Sequence, residues 1–266
     1  MPATPYPDLN AVLQELVAGQ RAALGSSFVA FFLQGSFAAG GFDRHSDVDW
    51  LAVVEDEPSG TQVDALQAMH ERIYGLPSAW AQHLEGSYFP KQVLRSCSQR
   101  GQQLWYLDNG ARSLVRSEHC NTAVVRWTVR EHGIALAGPE PAALVEPIPD
   151  AVLRREVFET MRDWGQEILE NPGHFDNRFY QSFIVLSYCR MLQTLHTGRI
   201  ESKRAGAEWA KKHLDPSWAG LIDRTWAGRP IPEVSVRTPA DPEDFRSTME
   251  FVRHIVALSQ LVEIRQ

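Results

Sequence analysis

Residues 31–54 read FFLQGSFAAGGFDRHSDVDWLAVV, and this stretch decides the fold prediction. An apolar run ends in Gly35 and Ser36, a glycine-rich segment of small residues follows, and Asp47 and Asp49 open a second apolar run. The two apolar runs predict β-strands. Because residues i and i+2 of a strand point to the same face, the side chains of the two aspartates are expected side by side.

Two neighbouring carboxylates are typical ligands of a divalent cation. Magnesium prefers one or two carboxylates together with phosphate oxygens over a cage made only of protein groups. Gly35 lets the backbone approach a ligand closely, Ser36 can donate to a phosphate oxygen, and a helix starting after them would direct N–H groups at an anion. For an isolated Asp-x-Asp pair the alternative is a solvated turn. The Gly-Ser pair upstream and Ser46 just before the aspartates favour the functional interpretation.

An apolar strand, a Gly-Ser pair, a short spacer and Asp-x-Asp on the next strand form the signature of the nucleotidyltransferase superfamily, whose catalytic core is similar to that of DNA polymerase β. Residues 31–54 resemble this signature without a gap. The resemblance implies an N-terminal α/β domain with a mixed sheet. It also implies that Asp47 and Asp49 hold Mg²⁺ and that Gly35, Ser36 and Ser46 lie at a bound nucleoside triphosphate.

Composition and charge restrict the partners. The chain has 266 residues, of which 44% are hydrophobic and 22% charged, as expected of a globular protein. Its formal net charge of −7 argues against a nucleic-acid partner and fits a cationic small molecule. Three widely spaced cysteines indicate neither a disulfide framework nor a zinc site. Residues 1–7 do not resemble a signal peptide and no apolar run is long enough for a membrane span, so we expect a cytoplasmic protein without a membrane partner.

The hydrophobic pattern predicts two domains of different class. Up to the proline-rich segment near residues 138–149 helices and strands alternate, and beyond it the pattern is helical. We therefore predict an α+β chain with a nucleotidyltransferase domain over residues 1–148 and a helical-bundle domain over residues 149–266 that binds substrate and nucleotide. Helices are predicted over residues 8–24, 62–74, 121–135, around 153–168, 176–196, after Ser202 and over 241–264, strands over 28–34, 48–54 and 84–89, and a hairpin around 108–110.

Nucleotidyl transfer to a hydroxyl also requires removal of the acceptor proton. Glu85 is the candidate for this step because it lies on the short predicted strand after the second helix, where a neighbour of the Asp47 and Asp49 strand is expected. Repulsion from other carboxylates would raise its pKa and a bound metal ion would lower it, so it could act as a base. The alternative is an ordinary glutamate at a strand edge.

A second resemblance covers about two thirds of the chain. The pieces that carry it are Gly35-Ser36 with Gly40-Gly41, His45 to Asp49, Leu136 to Pro139, Thr197 to Ile200, Ser202-Lys203 and Ala207 to Ala210. In these pieces the chain is similar to aminoglycoside adenylyltransferases of the streptomycin and spectinomycin type. The resemblance implies that Asp47 and Asp49 bind magnesium, that Glu85 is the catalytic base, and that Arg190 and Lys203 contact the triphosphate.

For two residues of the helical half, the sequence itself also supports a role in binding an anion. Arg190 lies in a strongly apolar helix, and a buried arginine needs an anionic partner, either a ligand or an acid in a structural ion pair. Lys203 is expected in the first turn of a helix, where a positive charge interacts unfavourably with the helix dipole. A bound anion would offset this cost. The alternative is an ordinary surface lysine.

The chain departs from the streptomycin enzymes in its acceptor region. Those enzymes hold the antibiotic with a tryptophan and acidic residues ahead of the middle helix, whereas residues 171–178 contain no tryptophan. Asp176 could still face a cationic substrate, with a helix N-cap as the alternative. Residues 87–91 and 104–110 also differ from the expected pattern.

These observations predict an ATP- and Mg²⁺-dependent adenylyltransferase. It would move AMP to a hydroxyl of a cationic small molecule, such as the aminoglycosides streptomycin or spectinomycin, with Glu85 and Asp176 near the acceptor. The departures leave two alternatives open. One is a nucleotidyltransferase whose acceptor is a metabolite or a protein side chain, and the other is a regulatory nucleotide-binding module without catalysis.

Overall fold

The computed structural model of the chain describes residues 2–43, 46–229 and 237–263. The chain divides into two compact units, Met1–Ile148 and Pro149–Gln266. The first unit combines helices with a six-stranded sheet, and the described elements of the second unit are helical. The predicted fold class, an α+β chain with a mixed sheet followed by a helical region, is confirmed. His45 of the family motif lies outside the described residues.

The sheet of the first unit runs in the order β5-β4-β3-β2-β1-β6. Strands β2 and β3 are parallel, and the other neighbours are antiparallel. A parallel pair needs a crossover connection, which a helix between the two strands supplies. The strands are β1 (Phe28–Leu33), β2 (Val48–Val54), β3 (Leu84–Pro90), β4 (Leu104–Leu107), β5 (Leu114–Ser117) and β6 (Ile134–Ala137).

The helices of the first unit begin where local sequence favours a helix start. The crossover helix is preceded by Ser59, which forms a capping box with Gln62, and Thr122 caps the last helix through the N–H of Val125. These helices are α1 (Pro7–Leu24), α2 (Gly35–Ala38), α3 (Gly60–Tyr74), α4 (Lys91–Arg95) and α5 (Ala123–His132), with 3₁₀ turns at Gly25–Ser27, Ala79–Gln82, Cys97–Gln99 and Pro141–Ala143.

The main core of this unit lies between one face of the sheet and the helices α1 and α3. Alternate residues of β2, among them Trp50 and Ala52, enter this core together with Tyr88 of β3. The residues between them, including Asp49 and Glu85, therefore point to the opposite face. Strand alternation thus keeps the acidic side chains out of this core.

The second unit consists of five long or medium helices among its described residues. Asn177 and Ser202 cap two of them through backbone N–H groups, and Gly198 ends one in the left-handed conformation, at φ 69°. The five helices are α6 (Asp150–Glu170), α7 (Arg178–Thr197), α8 (Lys203–His213), α9 (Ala219–Ala227) and α10 (Pro242–Glu263), with 3₁₀ turns at Pro172–Phe175 and Pro216–Trp218. No helix in the described ranges is both long and apolar enough to span a membrane.

Three details correct the sequence prediction. The helix predicted over residues 121–135 ends at His132, since Gly133 follows it and Ile134–Ala137 pair with β1 as the edge strand β6. Helix α9 was not predicted. Asp176 does not cap α7, because the neighbouring Asn177 accepts the N–H of Tyr180.

Candidate active site

Two of the predicted acidic residues lie side by side on neighbouring parallel strands. In the pairing of β2 with β3, Asp49 is directly opposite Glu85. Asp47 immediately precedes β2, two residues from Asp49. The strand predicted to carry Glu85 is therefore the direct neighbour of the strand that follows the Asp-x-Asp pair, and the three carboxylates occupy one end of the β2–β3 pair.

Gly35 brings the backbone directly against Asp49. Its φ is +61°, and a Cβ atom at this position would fall 1.9 Å from Oδ2 of Asp49. The neighbouring Gln34 N–H donates to the Asp49 carbonyl at 2.9 Å. Only glycine combines this backbone conformation with this close approach. Ser36 follows in the first turn of α2, which begins at Gly35.

Ser46 lies in the loop just before the aspartates. Its hydroxyl oxygen accepts the backbone N–H of Asp43 at 2.9 Å. This contact shapes the turn that leads into Asp47 and β2. The hydroxyl in turn donates to Oδ1 of Asp43 at 3.5 Å.

Asp47 is held by a residue that sequence reasoning did not identify. Asn109, in the turn between β4 and β5, donates from Nδ2 to Oδ1 of Asp47 at 2.6 Å. The amide oxygen of Asn109 lies 3.3 Å from Nδ1 of His83. The side chain of Asn109 therefore links the motif aspartate to the residue just before β3.

Glu85 has two polar neighbours that were also missed. The hydroxyl of Tyr106 donates to Oε1 of Glu85 at 2.8 Å and lies 2.9 Å from Oδ1 of Asp108. Nε2 of His119 lies 3.3 Å from the same Oε1. The signal that could have revealed Tyr106 and Asp108 is their i, i+2 spacing at the end of β4, next to β3.

Three titratable groups near Glu85 have pKa values above their usual values. The hydrogen bond to Glu85 raises the pKa of His119 above its usual value. Burial, followed by the charge of Glu85, raises the pKa of Tyr106. Burial raises the pKa of Cys120 to about 12, so this thiol stays protonated and is a poor nucleophile.

The carboxylates fit a magnesium ion that completes its shell with substrate oxygens. Within the described ranges, no group of three or more histidine, cysteine or acidic side chains converges closely enough to hold a metal ion by itself. Magnesium does not need such a cage, because it commonly uses one or two carboxylates with phosphate and water oxygens. The donor set of Asp47 and Asp49, with the backbone of Gly35 against Asp49, matches that requirement.

Arg190 and Lys203 belong to the second unit, on neighbouring helices. Gly206 of α8 lies so close to α7 that a Cβ there would be 2.7 Å from the Cα of Arg190. Nζ of Lys203 is 4.6 Å from the ring centroid of Phe183 on α7. Arg190 is half-buried rather than fully buried. Asp176 is exposed and lies two residues before the start of α7.

Comparison with known proteins finds similar sequences. The model of the aminoglycoside adenylyltransferase C-terminal domain matches residues 143–236. A spectinomycin 9-adenylyltransferase of Staphylococcus aureus is 27% identical over 213 residues, which cover 75% of this chain and 76% of that protein. An aminoglycoside (3'') (9) adenylyltransferase of Rhizobium radiobacter is 29% identical over 100 residues, covering 38% of this chain and 35% of that one.

A solved structure agrees at the level of the fold. The crystal structure of a spectinomycin adenyltransferase from Enterococcus faecialis with ATP and spectinomycin superposes with a TM-score of 0.68 at 13% sequence identity. The superposition covers 93% of this chain and 98% of that one. The chain is therefore similar in sequence to aminoglycoside adenylyltransferases, and its fold matches that of a spectinomycin adenyltransferase.

Proposed function

We propose that the enzyme uses ATP and Mg²⁺ to transfer AMP to a hydroxyl of a cationic small molecule, with an aminoglycoside such as spectinomycin or streptomycin as the acceptor. The observation that carries the proposal is the pairing of Asp49 with Glu85 on adjacent parallel strands, with Gly35 packed against Asp49. This arrangement sets a base candidate beside a metal-binding pair, which is what transfer of a nucleotidyl group to a hydroxyl requires.

The three carboxylates take different roles in this proposal. Asp47 and Asp49 hold Mg²⁺, which when bound neutralises charge on the triphosphate and polarises the phosphorus that is attacked. Glu85 accepts the proton of the acceptor hydroxyl as that oxygen forms its bond to the α-phosphorus and pyrophosphate leaves. Tyr106 donates a hydrogen bond to Oε1 of Glu85, which holds this carboxylate next to the proposed metal-binding pair.

Five residues are proposed to bind the nucleotide. Gly35, Ser36 and Ser46 are proposed to bind the phosphates, because they form the turn into α2 and the loop before Asp47. Arg190 and Lys203 are proposed to contact the triphosphate as cations. The close packing of α7 on α8 at Gly206 supports a shared role for these two residues.

Charge and the names of the relatives support the choice of acceptor. The net charge of −7 and the exposed Asp176 favour a cationic molecule, whose positive group Asp176 is proposed to contact. The segment 171–178 lacks the tryptophan expected for streptomycin, and the relative matched over three quarters of the chain is named for spectinomycin. Spectinomycin is therefore the first acceptor to test.

A different hydroxyl acceptor, either a metabolite or a protein side chain, is the second candidate. The specific observation that favours it is the β4–β5 turn, where residues 104–110 depart from the antibiotic-enzyme pattern and lie next to Glu85. The chemistry at the carboxylates would be unchanged. We place the reaction in the cytoplasm, which supplies ATP and keeps thiols such as the three free cysteines reduced.

Mass spectrometry tests both candidates. The protein is incubated with ATP and Mg²⁺ and with spectinomycin, streptomycin and other aminoglycosides in separate reactions, and Asp47→Ala serves as the inactive control. We expect spectinomycin to gain the mass of one AMP group with the wild-type protein only. If no aminoglycoside gains mass, the aminoglycoside proposal is wrong. Labelled ATP in a cell lysate then decides whether a metabolite or a protein is adenylylated.

A further inference from the structure

The turn between β4 and β5 contacts two of the proposed catalytic carboxylates at once. Tyr106, near the end of β4, donates to Oε1 of Glu85 at 2.8 Å, and Asn109 in the turn donates to Oδ1 of Asp47 at 2.6 Å. Asp47 and Asn109 are 62 residues apart in sequence. A single short segment therefore reaches both the proposed base and one of the proposed metal ligands.

Asp108 joins these two contacts into one unit. Its Oδ1 lies 2.9 Å from the hydroxyl of Tyr106 and accepts the backbone N–H of Asn109 at 3.0 Å. The conformation of the turn is thus tied to the position of the tyrosine hydroxyl. Because Tyr106 is buried and its strand is paired with β3 through Ser87, the hydroxyl has little freedom to move.

In the described part of the chain, Glu85 is held through one of its two carboxylate oxygens. In the part of the chain that the structure describes, the hydrogen bond from Tyr106 and the contact with His119 are both made to Oε1. A carboxylate held by one oxygen can present its other oxygen in a constant direction. That is the geometry a general base needs, because proton transfer requires the base within hydrogen-bond distance of the acceptor hydroxyl.

We propose that the segment from Tyr106 on β4 to Asn109 in the β4–β5 turn positions the catalytic carboxylates. Tyr106 orients Glu85, and Asn109 orients Asp47. The inference rests on the proposed function of these carboxylates and adds residues that act through them. Tyr106 and Asn109 are positioning residues, since they touch the carboxylates and not the reacting atoms.

The first test is Tyr106→Phe, which removes the hydroxyl and keeps the ring. We expect kcat to fall roughly tenfold while KM for ATP changes less than about twofold, because orientation affects the transfer step more than nucleotide binding. Tyr88→Phe is the matched control, since it removes another buried tyrosine hydroxyl of the same sheet, bonded to His70 at 2.7 Å. We expect it to lower the melting temperature and leave kcat unchanged. Wild-type kcat in Tyr106→Phe would overturn the proposal.

A double-mutant cycle tests whether Tyr106 acts through Glu85. In Glu85→Asp the carboxylate is withdrawn by one methylene, out of reach of the Tyr106 hydroxyl. Adding Tyr106→Phe to Glu85→Asp should then lower kcat by less than about twofold, since the coupling has already been lost. A full tenfold additional loss would show that Tyr106 acts independently of Glu85 and would overturn the inference.

A crystal structure of Tyr106→Phe separates this inference from the proposed function. We expect the Glu85 carboxylate to occupy more than one orientation in the variant and a single one in the wild type. If the wild-type protein adenylylates no acceptor, the proposed function is wrong, and this structural comparison still decides whether Tyr106 orients Glu85. A single unchanged orientation in the variant would reject positioning.

Discussion

The two faces of strands β2 and β3 differ in how their ionisable side chains are held. On the face that carries Asp49 and Glu85, Tyr106 and Asn109 donate hydrogen bonds at normal distances to Glu85 and to the nearby Asp47, whereas the hydroxyl of Ser87 has no hydrogen-bond partner among the described residues. On the opposite face, which packs on α1 and α3, Trp50 Nε1 and His70 Nδ1 have no hydrogen-bond partner among the described residues. Adjacent residues of one strand, Asp49 and Trp50, thus lie in contrasting environments.

This contrast indicates on which face of the sheet the orientation of polar side chains affects activity. A buried polar atom without a partner lowers stability by about 1–3 kcal/mol, and a protein tolerates it only where other interactions compensate. The core face contains many apolar contacts and can absorb that loss, whereas a carboxylate that must act on a substrate needs a defined direction. We therefore expect changes on the carboxylate face to affect activity and changes on the core face to affect stability.

The largest expected effect is the loss of the proposed base. Glu85→Gln keeps the size of the side chain and an oxygen that can accept the Tyr106 hydroxyl, but it removes the ability to take a proton. We expect kcat to fall by roughly 10²–10⁴-fold, the usual contribution of a general base, with little change in melting temperature. Steady-state kinetics with spectinomycin, or with the acceptor identified in its place, measure the effect.

Glu146→Gln is the control for this prediction. Glu146 is a surface residue of the same unit that pairs with Arg95 at 2.9 Å, and exposed ion pairs contribute little. Its substitution should leave kcat unchanged. If Glu85→Gln also retains wild-type kcat, the face carrying Glu85 is not the catalytic one.

The next effect comes from adding one methyl group beside Asp49. Gly35 and Gly40 both have positive φ, at +61° and +74°, so alanine strains the backbone at either position by roughly 1–2 kcal/mol. Only at Gly35 would the Cβ collide with the Asp49 carboxylate, whereas no described atom lies within 4 Å of a Cβ at Gly40. The difference between the two variants therefore isolates the displacement of Asp49.

We expect Gly35→Ala to lower kcat/KM by at least about tenfold relative to Gly40→Ala, at similar melting temperatures. Equal activity in the two variants would mean that the close approach of Gly35 to Asp49 has no catalytic role. Measuring both stability and kinetics for each variant separates strain from displacement.

The sequence could predict those parts of the site that depend on local patterns, but not those that depend on contacts between segments distant in the chain. The order of elements, together with the family resemblance, predicted Glu85 on a neighbour of the aspartate strand, and strand alternation predicted which residues share a face because alternation is a local property. The contacts of Tyr106 and Asn109 depend on the register between β3 and β4 and on the conformation of a turn. Neither is encoded by a local pattern.

The errors in the predicted fold arise where the local sequence is compatible with more than one structure. Residues Ile134–Ala137 are apolar and follow a helix, so periodicity alone extends the helix across them. The outcome is decided by pairing with β1, which is a tertiary interaction. Similarly, Asp176 and Asn177 are equally good N-caps, and only the position of the first helical turn selects Asn177.

On the core face, the burial of His70 is expected to make the folded protein less stable at acid pH. The imidazole is buried beside Tyr88 and Trp50, and burial lowers its pKa from 6.5 to about 3. Because the folded-state pKa is below the unfolded value, the neutral ring contributes stability above pH 6.5, and this contribution is lost as the pH falls from 6.5 toward 3. The free energy of unfolding should decrease by up to roughly 1.4 kcal/mol per pH unit in that interval through this residue.

Denaturant titrations at a series of pH values measure this dependence. His70→Gln has no titrating group, so its stability should fall less steeply below pH 6.5 than that of the wild type. His213→Gln, at an exposed position, is the control and should keep the wild-type slope. Parallel curves for the wild type and His70→Gln would show that His70 is not the source of the acid sensitivity.

The smallest expected effect is a gain in stability at Gln20. This α1 residue is fully buried, and its amide lies near the hydroxyl of Tyr88 without a hydrogen bond of normal geometry from either amide atom to any described residue. Methionine has a similar volume and helix propensity and brings no amide to satisfy. Gln20→Met should therefore raise the free energy of unfolding by about 1–2 kcal/mol and leave kcat unchanged.

Gln14→Met is the matched control, because Gln14 is exposed on the same helix. Its substitution should change stability by no more than about 0.5 kcal/mol. If Gln20→Met instead destabilises the protein, the amide of Gln20 has partners, such as ordered water, and the contrast between the two faces of the sheet is smaller than the side-chain contacts indicate. If it stabilises the protein and lowers kcat, the core face contributes to orienting the carboxylates through the shared strands.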